Sequence, residues 1–416
     1  MSNATYPDAT LPLVDGRVLS TNGIFHGSFR RTVGASLLYL VVFEAALFGS
    51  GRVLEIGPLT LKMLLFSLTL IYTVWSLLSL DRIRNSTALL VSSFAALLSL
   101  GIVNGLEHAA DLQLLGLDVS PLLSFLTLPF FELTIRTKRQ VMLIVHIIVF
   151  AAIVIAAVST AIMASIWFRI VSFGALYGWL RSTGGEDFVF EGVTGRVFYK
   201  GVIFIGIALF FLLFQNGRWS KAVAALLLLA LFFIGSRGLF VSLAACALLH
   251  ALIGPMSTLK KIGVGGAVIL LATMLLPVLF SMAGDKTESN AVRLTTISQV
   301  LENTGAASAI IGHGFGIGVP ERPAHMEITY LEIFQKQGVV GLLWWAALLA
   351  MMASRLRRAI ALGNKNLAYP LFLSSAFIAF ESATNPFLNN PIGMYPLIFA
   401  LVALGILSHA PQTGPA

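Results

Sequence analysis

Arg237 lies in Gly235-Ser236-Arg237-Gly238, a turn between two short apolar runs. An arginine at membrane depth costs about 2.5–3.5 kcal/mol on insertion scales, so it either snorkels to the interface or serves a polar cavity. The flanking glycines leave its guanidinium open to close approach, and that planar fork suits bidentate contact with phosphate. A second arginine, Arg293, opens the stretch 293–311, in which Leu294, Ile297, Val300, Leu301 and Ala306 recur at helical steps. The spacing predicts an amphipathic helix on a membrane surface or over a cavity. A positive charge at its start opposes the helix dipole, so a ligand-binding role and a plain solvated charge both stay open. Next comes Gly312-His313-Gly314-Phe315-Gly316-Ile317-Gly318, with four glycines at alternate positions that can turn sharply or pass close to a ligand. No Gly-Lys-Ser/Thr follows, so this is not a Walker phosphate loop. The run Arg322-Pro323-Ala324-His325-Met326-Glu327 completes the set. The His325 imidazole can take a proton from a hydroxyl near neutral pH, or it can simply orient the helix that follows. His313 and His325 are separated by irregular sequence and not by helical spacing, which argues against a metal site. Farther on, Thr384-Asn385-Pro386-Phe387-Leu388-Asn389-Asn390 is a turn rich in amides able to hold hydroxyls.

The elements that must position these residues are membrane helices. Hydrophobic residues make up 57% of the 416 and charged residues 11%, against about 25% in soluble proteins. So few charges cannot cover a soluble fold of this size, and an all-α, polytopic integral membrane protein is predicted. A bilayer core about 30 Å thick takes about 20 apolar residues per helix. About twelve stretches qualify: 33–50, 58–80, 87–105, 113–135, 141–166, 198–215, 221–235, 239–254, 262–283, 338–354, 367–384 and 392–409. The seventh and eighth share the Arg237 turn and read as a tight helical hairpin. Flanking them are a cytoplasmic tail, 1–32, a short tail, 410–416, and two long outer loops, 167–197 and 284–337. Of the 27 basic residues 16 fall in the segments of one side, mostly in short loops such as 81–86, 136–140 and 355–358, which places those loops and both termini in the cytoplasm. No basic-apolar-small cleavage pattern opens the chain, so no removable signal peptide is expected. The single cysteine, Cys246, rules out an internal disulfide and a cysteine-based metal centre. The net charge of +8 has no basic run interleaved with aromatics, which argues against nucleic acid and for anionic lipid or an anionic ligand. No repeat of 20–50 residues is present, nor a matched pair of broken apolar segments of the kind inverted-repeat transporters carry.

The order and spacing of Ser236-Arg237-Gly238, Arg293, Ile311-Gly312-His313-Gly314-Phe315-Gly316 and His325, with Tyr330-Leu331-Glu332 and Gly338-Val339-Val340-Gly341 after it, resembles the bacterial O-antigen ligase and O-antigen polymerase superfamily. That resemblance covers about 230–345. It implies a cofactor-free glycosyltransferase, without metal or nucleotide sugar, that works on an undecaprenyl-diphosphate-linked glycan at the periplasmic face of the inner membrane. Arg237 and Arg293 would grip the pyrophosphate, and His325 or Glu327 would act as base. Arg196, Arg322, His313, Tyr330 and Asn385 would contact pyrophosphate or glycan, and a chain-length regulator is a possible partner. Ligases usually carry Asn after the histidine, where this chain has Met326, and the run Glu327–Phe334 is closer to polymerases. A polymerase, which passes the growing chain to a new lipid-linked repeat unit, is therefore the first expectation. A ligase acting on lipid A-core is the second. A lipid-linked oligosaccharide flippase is the rival from another class, disfavoured because it needs charges through both leaflets.

Overall fold

The computed structural model describes residues 21–49, 55–56, 59–79, 81–182, 188–191, 196–215, 217–254, 256–282 and 287–409. Among the described residues the regular structure is helical apart from two short antiparallel pairs. The first half runs α1 (Thr21–Phe48), α2 (Leu61–Leu78), α3 (Asn85–Glu107), α4 (Leu112–Leu122), α5 (Leu128–Thr134), α6 (Lys138–Trp167) and α7 (Phe173–Ser182). The second half runs α8 (Ile203–Leu213), α9 (Arg218–Ile234), α10 (Arg237–Ile253), α11 (Thr258–Met282), α12 (Thr287–Asn303), α13 (Ala306–Ile311), α14 (Thr329–Ala361), α15 (Lys365–Glu381) and α16 (Pro391–Leu407). Strand β1 (Glu55–Ile56) pairs with β2 (Leu59–Thr60), and β3 (Phe188–Glu191) with β4 (Arg196–Tyr199).

A helix occupies each of the twelve apolar stretches. Among the described residues six helical segments are long and apolar enough to cross a membrane: Phe29–Phe48, Leu61–Leu78, Asn85–Glu107, Leu112–Thr134, Lys138–Trp167 and Thr329–Ala361. Lys200–Leu213, Arg237–Ile253 and Pro391–Leu407 are shorter apolar helices. Helices α8 and α16 are buried on nearly every side, as a helix without a polar face must be. Helix α2 instead turns Leu64, Leu68, Ile71 and Leu78 outward, a surface suited only to hydrocarbon. The protein is thus an all-α, multi-pass membrane protein.

Three boundaries differ from expectation. The fourth stretch is broken into α4, a tight turn over Leu123–Thr127 and α5, where Pro129 opens the new helix. Helix α12 begins at Thr287, so Arg293 sits two turns inside it, and the dipole conflict inferred for a helix start at Arg293 does not arise. Helix α14 begins nine residues before Gly338, and the outer loop therefore ends near 328. Gly338 breaks its regularity with φ of 63°, a left-handed conformation that glycine adopts without steric cost.

The glycine run explains that break. Gly312, Gly314 and Gly316 all have positive φ, and Phe315 between them is buried. The Phe315 amide donates to Gly101 O (2.9 Å), the Gly314 amide to Lys336 O (3.1 Å), and the Asn104 side chain to Gly312 O (2.8 Å). A Cβ on Gly314 would overlap the backbone of Gly105, and one on Gly338 the backbone of Ile310. These glycines therefore let protein backbone meet protein backbone between α3 and the α14 kink, and not a ligand. Gly314→Ala adds both that overlap and a strained φ, so it should destabilise by well over about 1 kcal/mol. Thermal melting of the detergent-purified protein checks this: the variant should melt lower or fail to accumulate, and an unchanged melt would contradict the packing.

Candidate functional site

The fold gathers loops at two opposite ends. One end joins residues from 81–86, 132–140, 355–366 and 401–409: Arg84 pairs with Glu132 (3.0 Å), Arg30 with Asp81 (2.8 Å), and Lys138 bonds Asn364. The other end joins 104–118, 236–242, 293–336 and 381–390, and it holds every nominated residue whose side chain is described. This is the same partition of loops that the basic residues predict.

At the second end three of the nominated residues form one group. Arg293 Nε donates to Glu327 Oε2 (2.6 Å) and Arg322 Nη2 donates to Glu327 Oε1 (2.9 Å). Arg322 reaches there because Val319 and Arg322 exchange backbone bonds around Pro320-Glu321, a tight turn in which proline fixes the first corner. Together with Thr296, Met326 and Leu331 these three side chains line one small pocket. The guanidiniums are each about one-third exposed and remain open to an anion. Two positive charges share one carboxylate there.

His325, two residues before Glu327, faces the other way. Its Nδ1 lies 3.5 Å from Glu332 Oε1 and 3.8 Å from Asp118 Oδ1, while its side chain is 48% exposed. Behind it Lys336 Nζ donates to Asp118 Oδ1 (2.6 Å), Glu332 Oε1 (2.6 Å) and Ala324 O (2.7 Å), and all three side chains are buried. The Gly316 amide bonds the second oxygen of Asp118 (2.8 Å), and Asn389 Nδ2 bonds the second oxygen of Glu332 (3.2 Å). Met326, between the two clusters, is buried with Val300 and Val319. An apolar anchor at 326 thus turns His325 toward one cluster and Glu327 toward the other. Asp118, His325 and Glu332 bring ligand atoms within 4.8 Å of one another, close enough in principle for a metal. Lys336 already supplies the cation those carboxylates need.

The remaining nominated residues are placed as follows. Arg237 opens α10, half-buried, and Gly238 beside it abuts Glu381 and Thr384: a Cβ there would lie 2.8 and 2.9 Å from their side-chain oxygens. Glu381 accepts from Ser242 (2.8 Å) and from Asn385 (2.7 Å). Thr329 bonds the carbonyls of Ser382 and Asn385 (3.0 Å each), which ties the start of α14 to the 381–390 turn, while Arg237 is not among the residues that line the Arg293–Arg322 pocket. The Tyr330 hydroxyl donates to Ala379 O (2.6 Å) and ties α14 to α15. The ring nitrogens of His313 lie 3.3 and 3.1 Å from the carbonyl oxygens of Gln335 and Asn303, an arrangement that clamps α12 to α14. Arg196 begins β4, and its side chain lies outside the described residues.

Sequence reading alone missed Asp118 and Lys336. The signals were present: Asp118 is an acid inside an apolar span, and Lys336 stands four residues after Glu332 on one helix.

No family model matches the chain. Among curated proteins it is similar to an O-antigen polymerase of Shigella flexneri, 27% identical over 373 residues that cover 88% of this chain and 92% of that protein. This similarity bears out the resemblance to the O-antigen polymerase and ligase superfamily read from the Arg237, Arg293 and His325 segments.

Lys336→Met would leave two buried carboxylates without their cation. Breaking such a group from one side costs about 3–5 kcal/mol, so the melt should fall steeply. Adding Asp118→Asn and Glu332→Gln to that variant should recover much of the loss. A single variant as stable as wild type would show that the ammonium is not what holds the two acids.

Proposed function

We propose that the protein is a polysaccharide polymerase that transfers a growing glycan from undecaprenyl diphosphate to a lipid-linked repeat unit at the periplasmic face of the bacterial inner membrane. The observation that carries this reading is the pairing of Arg293 and Arg322 on one pocket through Glu327, two residues along the chain from His325. Similarity to an O-antigen polymerase supplies the substrate class.

The chemistry follows from charge. As the anomeric C–O bond breaks, negative charge builds on the departing diphosphate, and fixed guanidiniums stabilise that state more than the ground state. Glu327 holds Arg293 and Arg322 in place through both of its oxygens, which makes it a positioning residue and leaves His325 as the base. With Nδ1 turned to Glu332 and Asp118, the imidazole can offer Nε2 to the acceptor sugar. The hydroxyl oxygen forms the new bond to the anomeric carbon, its proton passes to Nε2, and undecaprenyl diphosphate leaves with the bonding electron pair. The carboxylates behind Nδ1 stabilise the imidazolium as it forms, much as a buried acid does behind a catalytic histidine in acyl transfer. Arg237, whose neighbour Gly238 abuts the 381–390 turn, is assigned to the same diphosphate.

The test uses purified protein and a synthetic lipid-linked repeat unit as sole substrate. Multimers released together with free undecaprenyl diphosphate are expected. A ligase would leave the repeat unit monomeric until lipid A-core is added, and a flippase would move it across liposomes without forming a glycosidic bond. In the same assay His325→Ala should lose about 10²–10⁴-fold in rate, the usual span for a general base. Arg293→Ala should lose about 10²-fold or more while still inserting in the membrane. Full-rate polymer from both variants would overturn the assignment.

A further inference from the structure

The opposite end of the bundle carries a second pair of arginines, and the transfer reaction makes no use of them. Arg84 is the residue before α3, Arg355 lies in the last two turns of α14, and Gly405 is near the end of α16. The Arg84 backbone amide and Nε both donate to Glu132 Oε1 (2.6 and 3.0 Å), and the Thr87 hydroxyl takes Glu132 Oε2. Glu132 is thereby committed to Arg84. Arg355 is buried and has no carboxylate within ion-pair distance among the described residues. Its Nη1 donates to Leu401 O (2.8 Å) and its Nη2 to Ser86 Oγ (3.3 Å).

The two guanidiniums converge. A Cβ on Gly405 would lie 2.6 Å from Arg84 Nη1 and 3.2 Å from Arg355 Nη1, so the two guanidiniums meet over the bare face of this glycine. The Nη groups of Arg84 find no acceptor among the described residues, and its side chain is 31% exposed, which keeps one side of the space open. One positive charge is left over at a half-buried place. Like charges held together out of water need an anion, and two adjacent guanidinium edges match the two non-bridging oxygens of a phosphate diester. The exposed Arg82, Arg357 and Arg358 add to the local potential, whereas Asp81 is already paired with Arg30 and Arg136. These residues sit at helix ends, at the depth of lipid headgroups, on the side that the basic loops assign to the cytoplasm.

We propose that Arg84 and Arg355, on either side of Gly405, form a binding site for the headgroup phosphate of an anionic phospholipid from the adjacent leaflet. Such a lipid would tie α3, α14 and α16 together at the end remote from His325, without taking part in glycan transfer.

The test is native mass spectrometry and thermal melting of the full-length protein in neutral detergent. Phosphatidylglycerol, phosphatidylcholine and inorganic phosphate are titrated in separate arms. Phosphatidylglycerol should form a retained adduct and raise the melt, with at least a tenfold preference over phosphatidylcholine, and inorganic phosphate should do neither at matched concentration. Arg84→Gln and Gly405→Ala should each abolish the preference, the second by placing a methyl between guanidiniums that are both still present. Arg357→Gln, on the exposed face, should keep it. Should Arg84→Gln fail to fold, Gly405→Ala decides alone. Undiminished preference in Gly405→Ala overturns the site, and stabilisation by inorganic phosphate equal to that by the lipid overturns its assignment to a lipid.

Discussion

A buried ammonium organises the end of the bundle where the chemistry is placed. Lys336 lies inside an apolar helix, where a charge is tolerated only if it is matched and fully hydrogen-bonded. Its three donors go to Asp118 on α4, Glu332 on its own helix and the carbonyl of Ala324 in the outer segment. Helix α4 is thus joined at one atom to α14 and the segment before it, with 218 positions between Asp118 and Lys336. Each carboxylate then uses its remaining oxygen to hold something else: the glycine run through the Gly316 amide, and the 381–390 turn through Asn389. The network sets two carboxylates against one ammonium, and half-exposed His325 faces them. The imidazole proposed as the base is in this way given a direction and a place for the charge it would acquire.

The outer segment before His325 is held by backbone packing. Gly314 and Gly105 approach so closely that neither could carry a side chain, and buried Phe315 fills the space beside Gly101. Met326 then pins the strand between two polar clusters with opposite duties. On one side an acid pair with its own cation orients the imidazole, and on the other an acid holds two arginines. A single buried residue thus separates His325, turned to Asp118 and Glu332, from Glu327, turned to Arg293 and Arg322.

Much of this was legible in the sequence. Apolar runs marked the helices, because in a bilayer the backbone must bond to itself and only a long apolar helix does so unaided. The charge of the short loops marked which loops share an end. Arg293, Arg322 and Glu327 are among the residues the sequence singles out, and the fold brings these three into one group, with His325 turned to another. What stayed hidden depended on tertiary contacts. Thr287-Glu288-Ser289-Asn290 has no apolar period, so the true start of α12 was invisible and Arg293 was read as its first residue. The glycines of 312–316 look alike whether they cradle a phosphate or another helix, and only the approach of α3 decides. Asp118 and Lys336 lie more than 200 positions apart, so their bond left no local pattern. His325 and Glu327 stand as alternative bases in the linear order, which does not show that two arginines bond Glu327.

The most direct measurement is an experimental structure of the protein bound to a lipid-linked repeat unit with a non-hydrolysable diphosphate. The diphosphate should lie against Arg293 and Arg322 with Arg237 in reach, and an acceptor hydroxyl should stand within hydrogen-bonding distance of His325 Nε2. Diphosphate density at the other end of the bundle, or His325 turned away from the sugar, would contradict the assignment.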